Sequence, residues 1–178
     1  MGTEAEDEEL RSEHLKTVYA HFGVAIYLSQ CLEHSIVNAL VSCDLVPKNA
    51  RTVKSREEWV SLFDTFMSRH FAAPLGRMIG SLKKIVLVPE ELENILAKAL
   101  ERRNWLAHAY FRERATDIMS TQGRDKMIAE LEEAQETFIT TDKLLEFVVA
   151  PIRLKHGITN EMLDKAYADM LSEIKDDI

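Results

Sequence analysis

Two cysteines, six glycines and four prolines among 178 residues leave little material for several kinds of protein. Cys31 and Cys43 fall twelve positions apart in one predicted helix, about 18 Å along its axis, so no internal bridge joins them there and a reducing compartment fits. The scarcity of glycine and proline, with long 3.6-residue apolar periodicity between them, argues against a sheet-based fold. His14, His21 and His34 share one predicted helix, but no Cys-x-x-Cys or His-Glu-x-x-His accompanies them. No Glu-x-x-His pair occurs either, which removes the di-iron bundle; the histidines read as solvent-facing or core-edge residues, and no metal is expected. Nothing resembling a charged, apolar, small-residue leader opens the chain, and its most apolar run, residues 144–154, is interrupted by Glu146, Pro151 and Arg153. The expectation is a cytoplasmic protein with no membrane span.

What remains is 46% hydrophobic and 29% charged, ordinary for a globular chain of one domain. The periodicity predicts an all-α, up-and-down helical bundle of about five to six helices. Residues 1–9 form an acidic flexible tail and residues 10–178 a single domain. A long first helix runs from about Leu10 to Asp44 with an apolar seam through Val18, Phe22, Leu32 and Ile36. A second row, through Val24, Tyr27 and Cys31, leaves its middle apolar on more than one side. Pro47 is expected to end it. Ser55 with Glu58 makes a capping box for a helix striped by Trp59, Phe63 and Phe66. Pro74 and Gly76 break the chain before a short helix through Met78 and Leu82. Pro89, Glu90 and Glu91 start another helix, expected to continue towards Ile118. Ser120 to Gly123 reads as a turn, residues 124–156 as a long helix bent or interrupted by Pro151, and residues 158–174 as a last amphipathic helix.

The formal charge of -8 is unevenly spread. Residues 1–10 carry five acids and no base, and residues 115–178 carry seven bases against fourteen acids, whereas residues 68–114 carry nine bases against five acids. A basic central segment permits an anionic partner despite the overall sign.

That segment contains Glu101-Arg102-Arg103-Asn104-Trp105-Leu106-Ala107-His108-Ala109-Tyr110-Phe111. On a helical wheel at about 100° per residue, Leu92, Ile95, Leu96, Ala99, Leu100, Leu106, Ala107 and Tyr110 share one arc, and Arg103 sits in its middle. A guanidinium is costly to desolvate alone, so that position requires a partner or a wet cleft. Asn104 and His108, four apart, share another side, where the amide is placed to orient the imidazole.

The pattern Arg103-Asn104-x-x-x-His108-x-Tyr110 resembles the Arg-x4-His signature of the HEPN superfamily, many of whose members are metal-independent ribonucleases. The resemblance implies a HEPN-like bundle, a homodimer with both motifs lining one composite cleft, and an RNA endonuclease of the kind found as toxins in toxin-antitoxin or defence systems. It gives Arg103 and His108 catalytic roles, with Asn104 and Tyr110 supporting. It also implies a nucleotidyltransferase antitoxin as a partner, attaching adenylate to Tyr110; read from the residue itself, Tyr110 is first a core aromatic with its hydroxyl turned towards Arg103.

The chemistry fits these side chains. Cleaving RNA without a metal needs a group to take the proton of the 2′-hydroxyl, and an imidazole with an ordinary pKa of about 6.5 suits His108. A permanent cation must meet the charge developing on phosphorus, and the planar fork of Arg103 suits that. The product would be a 2′,3′-cyclic phosphate, DNA would be spared, and no cofactor is needed. Arg102, Arg112 and Arg114 are candidate RNA-binding guides, and Trp105 is either a base-stacking or a packing residue. Five positions place Arg103 and His108 about 140° apart on an ideal helix, so they are not direct neighbours within one chain. The alternative is a non-catalytic HEPN-like interaction or nucleotide-binding module, in which Arg103 serves an internal ion pair with an acid from another helix.

Overall fold

The computed structural model describes residues 4–175, and among these there is no strand. The chain is an all-α bundle. Helix α1, Glu4–Leu40, passes without a break into a π-helical turn, Val41–Leu45, and a last α turn, Val46–Asn49. It is thus longer than expected at both ends. Of the segment read as an acidic tail, residues 1–3 lie outside the described residues, while residues 4–9 belong to α1, where acids at the start of a helix favour its positive end. Pro47 does not terminate the rod. The π turn, in which the Val46 amide reaches the Val41 carbonyl, shifts the hydrogen-bond register just before the proline that lacks a donor. The Asn49 side-chain amide, through Nδ2, then donates to the Leu45 carbonyl at 2.8 Å.

Helix α2, Arg56–Phe71, is capped as its sequence predicts: the Glu58 amide donates to Ser55 Oγ at 3.1 Å and Glu58 Oε2 accepts from the Lys54 amide at 3.0 Å. Helix α3, Leu75–Lys83, buries Leu75, Met78, Ile79 and Leu82. Helix α4, Glu90–His108, starts behind Pro89 with three acids in its first turn. It does not continue to Ile118. At Ala109 (φ -132°, ψ -24°) the helix breaks, and a short helix α5, Tyr110–Glu113, and a 3-10 turn, Asp117–Met119, follow. The break delivers Tyr110 into the core, where its ring meets Phe22 and Trp105 and its hydroxyl donates to the Met127 carbonyl at 3.1 Å.

Helix α6, Thr121–Lys155, begins at the segment that reads as a turn. Ser120 is its N-cap and accepts from the Gly123 amide at 3.0 Å. Gly123 serves a close approach instead of a turn, because a β-carbon there would overlap the backbone of Asp117. Pro151 lies inside α6 without interrupting it. The carbonyl it deprives of a partner is that of Phe147, an exposed residue. A Schellman turn ends α6, with Gly157 at φ 79°, its amide on Leu154 and the Ile158 amide on Arg153. Helix α7, Asn160–Lys175, follows behind Thr159, whose hydroxyl accepts from the Met162 amide at 3.3 Å.

The two longest helices run parallel and form the spine. His14 meets Asp125 at 3.1 Å, and a full turn or two later His21 meets Gln135 through its carbonyl at 3.0 Å and Glu132 at 4.0 Å. Val18, Ala25, Leu32 and Ile36 of α1 and Met127, Leu131, Ala134 and Phe138 of α6 supply most of the buried seam. Helix α4 lies antiparallel to both, with Arg103 opposite Glu33, Arg102 opposite Glu133 and Tyr110 opposite Met127. The stretch Asp7–Asn49 is long and apolar enough to cross a membrane by length and composition, with 39% of the qualifying window buried inside this bundle. Core helices meet the same test.

Candidate functional site

Helix α4 carries most of the motif, and its two flanks have different neighbours. On the α6 side, Glu133 accepts from Lys98 Nζ at 3.2 Å and Arg102 at 2.8 Å. These donors, Lys98 first, hold its carboxyl below the usual carboxylate range. Arg102 also lies 5.6 Å over the Trp105 ring, and Arg114 lies 5.3 Å from the same ring. Arg114 grips Glu130 with two donors, at 2.7 and 3.0 Å. That hydrogen bonding raises the guanidinium's pKa further. The Trp105 indole donates to Glu113 at 2.8 Å and so is a packing residue in this chain. Of the three candidate RNA guides, Arg102 and Arg114 are therefore held by acids, whereas Arg112 is exposed and forms no ion pair among the described residues.

On the α1 side, Arg103 Nε donates to Glu33 Oε1 at 3.0 Å. The side chains are 29% and 17% exposed, so the pair is covered without being sealed. Only Nε is committed to the carboxylate; a longer contact of 3.4 Å joins one terminal nitrogen to Asn104 Oδ1. The guanidinium thus keeps donors for a further acceptor. Nothing in the motif itself points to Glu33. Its signal lies in α1, where it is the sole carboxylate among residues 14–43 and sits beside the seam residue Leu32.

His108 closes α4 and is exposed, as is Asn104, and no hydrogen bond joins the two among the described residues. Within one chain the structure does not bring His108 to Arg103. Tyr110, by contrast, is 1% exposed. Burial first, and the nearby Glu130 second, push its phenol far above its ordinary pKa, and its hydroxyl faces Met127 instead of Arg103. The Tyr110 hydroxyl is therefore out of reach of any modifying partner in this arrangement of α5.

Between Glu33 and Phe111, the outer side of α1 is unusually apolar. Tyr19 is 5.9 Å from the Phe111 ring and Phe22 is 4.7 Å from it, so the exposed Tyr19 continues onto α5, with the exposed Tyr27 about 80° round the helix from it. This is the two-sided middle of the first helix. Its inner side is filled by α6, α3 and α4, while Tyr19, Val24 and Tyr27 remain exposed among the described residues. Among the described residues no three His, Cys, Asp or Glu side chains are grouped to hold a metal ion. His14 and His21 are engaged with α6, and His34 with the Phe71 ring.

No protein-family model, curated protein or solved structure matches the chain, so the likeness to HEPN ribonucleases rests on the Arg103–Tyr110 residues and the helical architecture.

Proposed function

We propose that the protein is a metal-independent RNA endonuclease of HEPN type, active as a homodimer whose composite cleft combines Arg103 of one copy with His108 of the other. The observation that carries the reading is the position of His108: exposed and unpaired among the described residues, three positions before Phe111, whose partly exposed ring meets the exposed Tyr19 of α1. A second copy seated there buries aromatic surface, at about 25 cal/mol per Å² of apolar area, and carries a second motif towards the first. This supplies the neighbour that the 140° separation denies within one chain. His108 then takes the 2′-hydroxyl proton, and the uncommitted nitrogens of Arg103 meet the non-bridging phosphate oxygens. Toxin or defence roles, a nucleotidyltransferase antitoxin and a cytoplasmic setting belong to the same proposal.

A second reading has an observation of its own. The Arg103–Glu33 pair is what a non-catalytic module would use to brace α4 on α1. Single-stranded RNA incubated with the purified protein and a chelator separates the two. The nuclease reading expects fragments ending in 2′,3′-cyclic phosphate, lost in both His108→Ala and Arg103→Ala with helicity retained. Absence of cleavage, or cleavage surviving in both variants, contradicts it.

A further inference from the structure

Beyond the motif, a second feature lies where the first turns of α1 meet the start of α6. A cavity of about 760 Å³ opens there, lined among others by Asp7, Arg11, His14, Ser120, Thr121 and Arg124. Arg124 is 4% exposed. Its two terminal nitrogens donate to neutral oxygens, the Ile118 carbonyl at 3.1 Å and the Thr121 hydroxyl at 3.2 Å, and its Nε has no acceptor. No carboxylate pairs with it among the described residues.

This is an expensive arrangement. A buried guanidinium ordinarily has a carboxylate against it, because its desolvation is otherwise uncompensated. Arg124 also stands in the first turn of a 35-residue helix, at the positive end of the dipole, with no acid in that first turn. Ser120 satisfies the Gly123 amide, which leaves the amide of Thr121, in the cavity wall, as an open first-turn donor. Arg11 adds a second cation to the wall. Among the lining residues two arginines face one carboxylate, Asp7, while Asp125 is engaged with His14 on α1.

We propose that this cavity is a binding site for a phosphate-class oxyanion, held by the Thr121 amide at the start of α6, the Ser120 and Thr121 hydroxyls, Arg11 and the guanidinium of Arg124. Its chemistry is that of anion sites at helix N-termini, strengthened by a buried cation that lacks a counter-ion. The site is independent of Arg103 and His108 and does not rest on the nuclease reading.

The test is an amide and arginine-side-chain NMR titration of the full chain, with inorganic phosphate against chloride at constant ionic strength. Saturable shifts are expected at Thr121 and Arg124 Nε, with affinity lowered about tenfold by Arg11→Gln, an exposed position that leaves the fold intact. Arg124→Lys, checked for helicity, keeps the charge and loses the fork, and is expected to weaken binding similarly. Two further ligands identify the source: preference for a 5′-phosphorylated oligoribonucleotide over its 5′-hydroxyl form assigns a terminal phosphate, and equal binding of both assigns a backbone phosphodiester. No saturable shift with any of the three probes, or shifts unchanged in both variants, overturns the proposal.

Discussion

Glu33 and Arg103, 70 positions apart in sequence, meet at 3.0 Å and fasten α1 to α4 beside the motif. The contact is both a brace and an obstacle: the carboxylate that fixes the guanidinium also neutralises the charge a phosphate would need. Glu33→Gln separates these effects. With both partners partly exposed, its loss should cost stability only about 0.5–1 kcal/mol in urea unfolding. Cleavage of RNA should rise, since an uncharged amide still orients Nε without competing with phosphate. Reduced cleavage in a fully folded variant would make Glu33 part of the chemistry instead of a restraint on it.

Tyr110 gives a signature at alkaline pH. Its phenol is held protonated by burial in the folded chain, whereas in the unfolded chain it ionises near its ordinary value of about 10. Its folded pKa is raised, so its contribution to stability is complete below about pH 10 and declines as pH rises beyond it. Tyr110→Phe should lower stability by about 1 kcal/mol at neutral pH through the lost bond to the Met127 carbonyl, and should flatten the alkaline decline. Denaturant midpoints between pH 8 and 11 in both proteins check this.

At the other end of the pH scale, Glu133 has the opposite sign. Lys98 and Arg102 depress its folded pKa, so the stabilisation it brings is present above the usual carboxylate range and is lost as pH falls through the folded value. Glu133→Gln should therefore lower stability at neutral pH, flatten its dependence on pH in the acid range, and converge with the parent protein below the folded value. Thermal melts from pH 3 to 7 in low and high salt measure the effect, which salt should weaken because the cluster is half exposed.

Gly123→Ala should destabilise by about 1–3 kcal/mol, or more if the turn cannot move, because the added methyl meets the Asp117 backbone instead of a yielding side chain. The alanine's better helix propensity, worth at most about 1 kcal/mol, does not offset that overlap. Urea midpoints settle it; an unchanged midpoint would show that the Asp117–Met119 turn is free to shift.

Much of the bundle was legible in the chain. The capping box at Ser55, the start of α4 behind Pro89 and the Gly157 terminator are local signals, and local geometry fulfils them. The misreadings share one cause, which is that a residue's local meaning depends on what stands across from it. Pro47 is passed through a π turn, Pro151 is carried inside a continuous helix next to exposed residues, and Gly123 answers to a backbone six residues back. Arg103's need for a partner was legible from its place on an apolar arc, but Glu33 was not, since no spacing rule links positions so distant. Likewise Arg124 reads as an ordinary helical arginine until its burial without a carboxylate is seen.

The central claim is that an arginine and a histidine from different copies act in one cleft. Mixing inactive Arg103→Ala and His108→Ala proteins, with subunit exchange verified by native mass spectrometry, tests it most directly. Mixed dimers are expected to regain RNA cleavage in the presence of a chelator, because each retains one intact guanidinium and one intact imidazole across the interface. Exchange without any recovery of cleavage would contradict it.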